Sequence, residues 1–277
     1  MRRAAEMRAQ VVDSNVIAVT KMHGTQNDFV VVDLRTQRVD DLAAFARYVC
    51  DRRSGIGADG IIALLAPQSA QATVAMRVVN ADGSDAEMCG NGVRCAARWL
   101  YEAGEGGAIA FETGAGIVRS QVIATQPEFE VRVTMGRPMA ELLDGDDRAW
   151  FVDLGNPHVV LVREAADEGE LGSYAHALQN DRRFPNGTNV HVVVPHDEHL
   201  DVLHWERGVG PTRACGTGAV AAAEVAAHLR NHRTPVDVHV PGGKLTVEWD
   251  ADGNASLTGP AVRVFDTTVP RDAFGRP

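Results

Sequence analysis

The chain has 277 residues, 45% of them apolar and 23% charged, which is the composition of a globular protein with room for two ordinary domains. Its formal net charge of −10 argues against nucleic acid or an anionic membrane surface as a partner. Four cysteines are too sparse for a disulfide framework, no apolar run approaches the roughly 20 residues of a membrane span, and Met1-Arg-Arg-Ala-Ala-Glu6 lacks the apolar centre of a secretory signal. The expected setting is a reducing cytoplasm.

Residues 1–15 read as a polar extension. Val16–Met22 and Phe29–Asp33 then read as strands around a Gly24-Thr-Gln-Asn27 turn, and Leu42, Phe45, Ala46 and Val49 have helical spacing. Strands are predicted at 61–65 and 73–79, a buried helix at 92–103, and a meander at 108–112, 116–123 and 128–135. The second half repeats the order, with strands at 150–154 and 159–162, a helix near 171–180 and strands at 189–194 and 200–205. An alanine-rich helix at 218–231 follows, then strands at 236–240, 245–249, 255–258 and 262–269. Strands followed by one very apolar helix predict an α+β fold, each half a curved, mostly antiparallel sheet wrapped around a central helix.

The halves also match residue by residue. Asn27-Asp-Phe-Val-Val-Val32 parallels Asn156-Pro-His-Val-Val-Leu161, and Gly57-Ala-Asp-Gly-Ile-Ile62 parallels Gly187-Thr-Asn-Val-His-Val192. Cys89-Gly-Asn-Gly92 parallels Cys215-Gly-Thr-Gly218, each opening an alanine-rich helical run, with Asn80 and Glu206 standing nine positions before. Ordered matches about half a chain apart mark an internal repeat. The predicted domains are 16–135 plus 262–277 and 136–261, facing one another across an active-site cleft. The last strand, with no predicted counterpart closing the first half, is assigned to the first domain.

A cysteine just before a helix feels the positive end of the dipole and unpaired N–H groups, which lower its pKa. Two such thiols suggest acid–base groups acting on opposite faces of one small molecule. Gly55-Ile-Gly-Ala-Asp-Gly60 fits a dinucleotide fingerprint but has a helix before it and a strand after, the reverse of what that motif needs. Metal binding is not expected: there is no C-x-x-C, and His196-Asp-Glu-His199 reads as a turn. Only Lys21 and Lys244 are lysines among 27 basic residues, and neither stands out as a Schiff-base former, so no cofactor is expected.

Lys21-Met-His-Gly-x-x-Asn-Asp-Phe29, Gly55-Ile-Gly-Ala-Asp59, Asn80-x-Asp-Gly-Ser84, Met88-Cys-Gly-Asn-Gly-x-Arg-Cys95, Gly155-Asn-Pro-His158, Phe184-Pro-x-Gly-x-Asn-Val190, Glu206-Arg-Gly208, Ala214-Cys-Gly-Thr-Gly218 and Pro241-Gly-Gly243 occur in that order. In this the chain resembles the diaminopimelate epimerases. The resemblance implies their fold and a cofactor-independent isomerase of lysine and peptidoglycan precursor synthesis, interconverting LL- and meso-2,6-diaminopimelate, and a homodimer. It implies Cys89 and Cys215 as the two bases, assisted by His158 and Glu206. Gly90, Asn91, Gly216 and Thr217 would cradle the reacting carboxylate, Asn27, Asn80, Asn156 and Asn189 would bind substrate, and Glu206 and Arg207 would meet its distal groups.

Taken alone, several of these residues read otherwise: Asn27 and Asn156 as turn residues, His158 as a satisfied core histidine and Arg207 as a solvated charge. Cys50 and Cys95 read as core. Where some members carry a glutamine, this chain has Gly60, so the hold on the reacting amino group departs from the pattern. The rivals are the proline racemase and hydroxyproline epimerase group, which typically has histidine in place of Asn91, and a non-catalytic relative of the phenazine-biosynthesis fold, which lacks the two cysteines. A redox switch between the two thiols would be a secondary behaviour.

Overall fold

A computed structural model describes residues 15–143 and 146–274, with the backbone alone at 146 and 147. Of the polar extension, residues 1–14 lie outside the described residues. The chain forms two compact units, one of residues up to 24, 28–131 and 261 onward, the other of 25–27 and 132–260.

In the first unit Val16–Gly24 pairs antiparallel with Val262–Pro270. Asn27–Asp33 runs parallel to Gly60–Leu65, which is antiparallel to Val74–Asn80. Val74–Asn80 is in turn parallel to Ala108–Thr113, the first arm of a hairpin with Gly116–Ala124. Parallel neighbours cannot be joined by a tight turn and need a crossover. Helix α1 (Leu42–Cys50) and helix α2 (Gly90–Glu102) are those crossovers. Asp41 caps α1 by accepting the Ala44 N–H at 2.9 Å, and Phe45, Ala46, Val49 and Cys50 pack against Val30, Val32, Ile61 and Ala63.

The second unit repeats this succession. Met139–Leu143 pairs with Asp146–Asp153, and that strand with Pro157–Val162. Pro157–Val162 is parallel to Asn189–Pro195 across helix α3 (Glu168–Gln179). Asn189–Pro195 is antiparallel to His199–Glu206, which lies parallel to Val236–Val240 across helix α4 (Gly216–Arg230). Gly243–Trp249 and Ala255–Pro260 follow. The sheets are mostly antiparallel, with two parallel crossovers in each unit. One expectation is corrected: the last strand does have a counterpart. Met139–Leu143 closes the first half in sequence but pairs with Asp146–Asp153, as Val262–Pro270 pairs with Val16–Gly24.

The central helices explain their composition. Ala219, Val220, Ala221, Ala222, Ala223 and Val225 are all fully buried, so the sheet can approach α4 closely only where side chains are small. Glu224, fully buried among them, is ion-paired with Arg233 and lies 3.3 Å from His228 Nε2. The helix stops at Asn231, whose left-handed φ of 56° suits an asparagine cap. No described helix is long and apolar enough to cross a membrane.

Candidate active site

Cys89 and Cys215 hold the same structural position. Each is the extended N-cap of its unit's central helix, with φ of −141° and −125°. Gly90, Asn91, Gly216 and Thr217 follow in the first turns, where backbone N–H groups have no intrahelical carbonyl to bond. The next glycine lets the sheet lie against the helix start. A Cβ on Gly218 would stand 2.4 Å from His191 Cε1, and one on Gly92 3.3 Å from Ile62 Cδ1.

The surroundings of the two thiols differ in charge. Five residues after Cys89, α2 carries Arg94, fully buried, its pKa lowered to about 10 by burial. The corresponding residue of α4 is Val220. Cys215 instead lies near Glu206. Its Sγ accepts the Gly218 N–H at 3.4 Å and is 3.5 Å from Thr217 Oγ1. Burial, and next the Glu206 carboxylate, push the Cys215 thiol well above its ordinary pKa, against the weaker pull of Thr217 and Gly218. The expectation that both helix starts lower the thiol pKa is therefore corrected for Cys215, because desolvation outweighs two hydrogen bonds to sulfur. Cys50 and Cys95 are buried, and burial raises both thiols to about 12.

The second unit brings His158, Asn189 and Glu206, with Asn156 and Arg207 beside them, to adjoining strand ends. His158 pairs with Asn189 in the parallel register, and Val190 with Trp205 in the antiparallel one. Asn189 fastens the three strands: its Nδ2 donates to Pro157 O at 2.9 Å, and its Oδ1 accepts the Arg207 N–H at 3.0 Å. The Arg207 side chain is exposed, with Nη1 donating to Asn186 O at 3.4 Å.

Behind these residues runs a chain of buried imidazoles. His158 Nε2 meets Asn156 Oδ1 at 2.9 Å, His158 Nδ1 meets His191 Nε2 at 2.9 Å, and His191 Nδ1 meets His204 Nδ1 at 2.9 Å. Burial drives all three pKa values down, His158 and His204 to about 3. Neutral rings each have one donor and one acceptor, so the amide oxygen of Asn156 fixes every tautomer. His158 donates from Nε2, His191 donates from Nε2 to His158, and His204 donates from Nδ1 to His191. His204 Nε2 is left as a buried acceptor with no hydrogen bond.

In the first unit Asn80 ends Val74–Asn80 and donates from Nδ2 to Ser84 Oγ at 3.0 Å. Gly60, its register partner, has no room for a side chain, since a Cβ would stand 2.6 Å from Val79 O. Asn27 belongs to the short segment 25–27 of the second unit. There Thr25 and Gln26 have left-handed φ of 49° and 64°, uncommon outside glycine. Gly242 accommodates that segment, since a Cβ would come 1.9 Å from Thr25 O. Both lysines are ion-paired, Lys21 with Asp28 at 2.6 Å and Lys244 with Asp237 at 2.7 Å.

Sequence reasoning gave no role to Arg94, His191 or His204. The signals were present: an arginine within an apolar helical run, unmatched in the other repeat, and the alternations Asn189-x-His191 and His204-x-Glu206, which put each pair on one face of a strand, with Asn156 two residues before His158.

The family model for diaminopimelate epimerase matches residues 19–140 and 150–264. The chain is 41% identical to the diaminopimelate epimerase of Moorella thermoacetica over 277 residues, covering 91% of this chain and 99% of that one. It is 41% identical to that of Desulforudis audaxviator, covering 89% and 97%. Among solved structures, a phenazine biosynthesis protein of Bacillus anthracis superposes with a TM-score of 0.70 at 17% identity, covering 92% of this chain and 99% of that one. A hydroxyproline epimerase of Agrobacterium vitis superposes with a TM-score of 0.68 at 15% identity, covering 92% and 91%. At such identities the structures establish the two-domain repeat fold that both rivals share, whereas the sequence matches discriminate between families. The chain belongs to the diaminopimelate epimerase family.

Proposed function

We propose that the chain interconverts LL- and meso-2,6-diaminopimelate without a cofactor, in the cytoplasm, as a homodimer. The observation that carries the reading is the equivalent placement of Cys89 and Cys215, each capping the N-terminus of its central helix. Inverting a carbon requires taking its proton from one face and delivering another to the opposite face, work for a thiolate and a thiol whose roles exchange on reversal. Buried Arg94 favours negative charge on its side of the reaction, while Glu206 and burial hold Cys215 protonated. We therefore assign Cys89 as the base and Cys215 as the acid of the resting enzyme. The α-proton passes to the Cys89 sulfur, and the Cys215 proton passes to the other face of the carbanion.

Gly90, Asn91, Gly216 and Thr217 would hold the reacting carboxylate through first-turn N–H groups, which stabilise the charge that develops there. Asn27, Asn80 and Asn156 would offer donors and acceptors to a zwitterion without adding charge. In Asn189 both amide groups already bind backbone, so its part is to hold Pro157 and Arg207 in place. His158, neutral and hydrogen-bonded on both nitrogens, is suited to orienting Asn156 rather than carrying a proton. The influence of Glu206 on Cys215 favours a place beside the thiol, leaving Arg207 for the distal carboxylate. Exposed Val264 and Phe265 on the strand Val262–Pro270 support self-association.

The test is incubation of purified protein with LL-diaminopimelate and chromatographic separation of stereoisomers. Formation of the meso isomer is expected. Turnover of proline or hydroxyproline at a comparable rate would overturn the substrate assignment, because a site built for a second zwitterionic centre rejects ligands that leave its polar groups unpaired.

A further inference from the structure

At the far end of the strand that carries Glu206, four side chains converge. Asn189–Pro195 turns into His199–Glu206 through a tight hairpin closed by His196 N–H donating to His199 O at 2.9 Å. The turn brings the rings of His196 and His199 into a stack, centroids 4.4 Å apart. Asp201 lies two residues beyond His199, hence on the same face of the strand. His239 is the register partner of Asp201 on the parallel neighbour Val236–Val240, and its ring stacks on His199 at 4.2 Å. Three imidazoles thus surround one carboxylate. His196 Nε2 is 2.9 Å from Asp201 Oδ2, His199 Nε2 3.5 Å from Oδ1, and His239 Nδ1 3.8 Å from Oδ1. One ligand atom from each of His196, His199 and Asp201 falls within a span of 4.8 Å.

We propose that this cluster is a binding site for a divalent transition cation of the zinc class, with His196, His199 and Asp201 as ligands and His239 as the fourth. A tetrahedral zinc with bonds of about 2.0–2.1 Å separates its ligands by roughly 3.3–3.4 Å; His196 and His199 already stand 2.9 and 3.5 Å from Asp201, whereas His239, stacked on His199, has to turn its ring toward the ion. The four side chains are between about one-third and one-half exposed, which leaves them free to adjust. Neutral imidazole with a single carboxylate suits zinc, nickel, cobalt or copper, and not magnesium or calcium, which take oxygen ligands.

The backbone is braced for this role. Arg230 Nη2, at the end of α4, donates to His196 O at 2.7 Å. Lys244, the register partner of His239, is ion-paired with Asp237 rather than with Asp201. The site is distinct from the cysteine machinery, since Asp201 and Glu206 stand five residues apart on an extended strand, about 17 Å. A cation here would staple the hairpin to Val236–Val240, whose pairing with His199–Glu206 spans only His199–Asp201 against Asp237–His239.

The test uses untagged full-length protein with Cys89→Ala and Cys215→Ala, so that thiolates do not compete for metal, stripped with a chelator and then dialysed against Zn²⁺. One zinc per chain is expected, with a raised Tm. His199→Ala, Asp201→Asn and His239→Ala should each weaken binding by at least the roughly 10–100-fold typical of losing a partner that only supports a metal ligand. Circular dichroism of each variant checks its fold, and the visible spectrum of bound Co²⁺ on the stripped parent protein reports the ligands without these substitutions. Zinc stoichiometry unchanged by His199→Ala and Asp201→Asn, or a Co²⁺ spectrum of the hydrated ion alone, would overturn the proposal.

Discussion

The imidazoles of His158 and His191 meet at 2.9 Å, Nδ1 to Nε2, although the two residues come from neighbouring parallel strands separated in sequence by α3. His191 also lies against Gly218 at the start of α4. One ring therefore touches both the residue that orients Asn156 and the turn whose N–H binds Cys215 Sγ. His191→Leu should leave His158 Nδ1 without its donor and destabilise the protein by about 1–3 kcal/mol, as for a buried acceptor left unsatisfied. Its effect on catalysis should fall mainly on KM, because Asn156 is a binding residue. His191→Gln retains an N–H donor and should recover much of the KM. Equal losses in both variants, confined to Tm, would reduce His191 to a packing residue.

The same three histidines make acid stability steep. Their folded pKa values lie far below the unfolded value of about 6.5, so below that pH the unfolded chain binds protons that the folded chain refuses. Stability is fully present above pH 6.5 and is lost as pH falls toward about 3. Each histidine adds a slope of up to about 1.4 kcal/mol per pH unit across that window. Urea midpoints measured from pH 7.5 to 5 should fall along a curve that flattens in His204→Phe. An unchanged slope would mean that the imidazoles are protonated in the folded protein.

Much of this was legible in the sequence, and the limits have physical causes. Period-two and helical spacing located the strands and central helices, because one-sided burial leaves a pattern. Met139–Leu143 escaped, since Met139 and Leu142 are exposed and the strand carries no alternation. The cysteines announced themselves through a repeated motif that needs only local geometry. The histidine chain left only alternations along each strand, and His196 and His199 read as a turn, because register across strands, not spacing along one strand, brings in His204 and His239. A helix start alone implies a lowered Cys215 thiol, whereas burial, which no spacing along the chain shows, raises it.

Glu206→Gln separates the two influences on Cys215. The substitution removes the carboxylate and leaves burial in place, so the thiol pKa should fall from its raised value while remaining above normal. Alkylation by iodoacetamide across pH 7–10, read by peptide mass spectrometry, should label Cys89 ahead of Cys215 in the parent enzyme. In Glu206→Gln the labelling of Cys215 should begin at lower pH. Labelling of Cys215 first, with no response to the substitution, would reverse the assignment of base and acid.

Gly242→Ala tests the segment that carries Asn27. A Cβ 1.9 Å from Thr25 O cannot be accommodated without moving backbone, at a cost of about 1–3 kcal/mol for such overpacking. Because Thr25–Asn27 is displaced, kcat/KM for diaminopimelate should fall as well. Gly107→Ala, where the nearest atom is the Gln121 Nε2 at 3.5 Å, serves as the control and should leave activity unchanged. If both variants behave like the parent, Asn27 is not held by this contact.

Two different bases leave an isotopic signature. In deuterated water the sulfur that takes the α-hydrogen is not the sulfur that delivers the new one, so product from the first turnovers should carry solvent deuterium at the inverted centre. Unreacted substrate should remain mostly unlabelled, because the hydrogen on its own face returns from the same thiol only when protonation of the opposite face fails. Cys215→Ala removes the proposed acid and leaves the Cys89 thiolate. It should therefore abolish epimerisation while still allowing exchange at the face that Cys89 serves. Cys89→Ala should abolish epimerisation too, with exchange confined to the opposite isomer, and slower, since Cys215 is held protonated by burial and Glu206. Cys95→Ala should change stability at most, because Cys95 is buried within the helix behind the first turn. Mass spectrometry of separated LL and meso isomers at low conversion decides the matter. Early product retaining the substrate's own hydrogen would mean one base working on both faces, and the assignment of separate roles to Cys89 and Cys215 would fail.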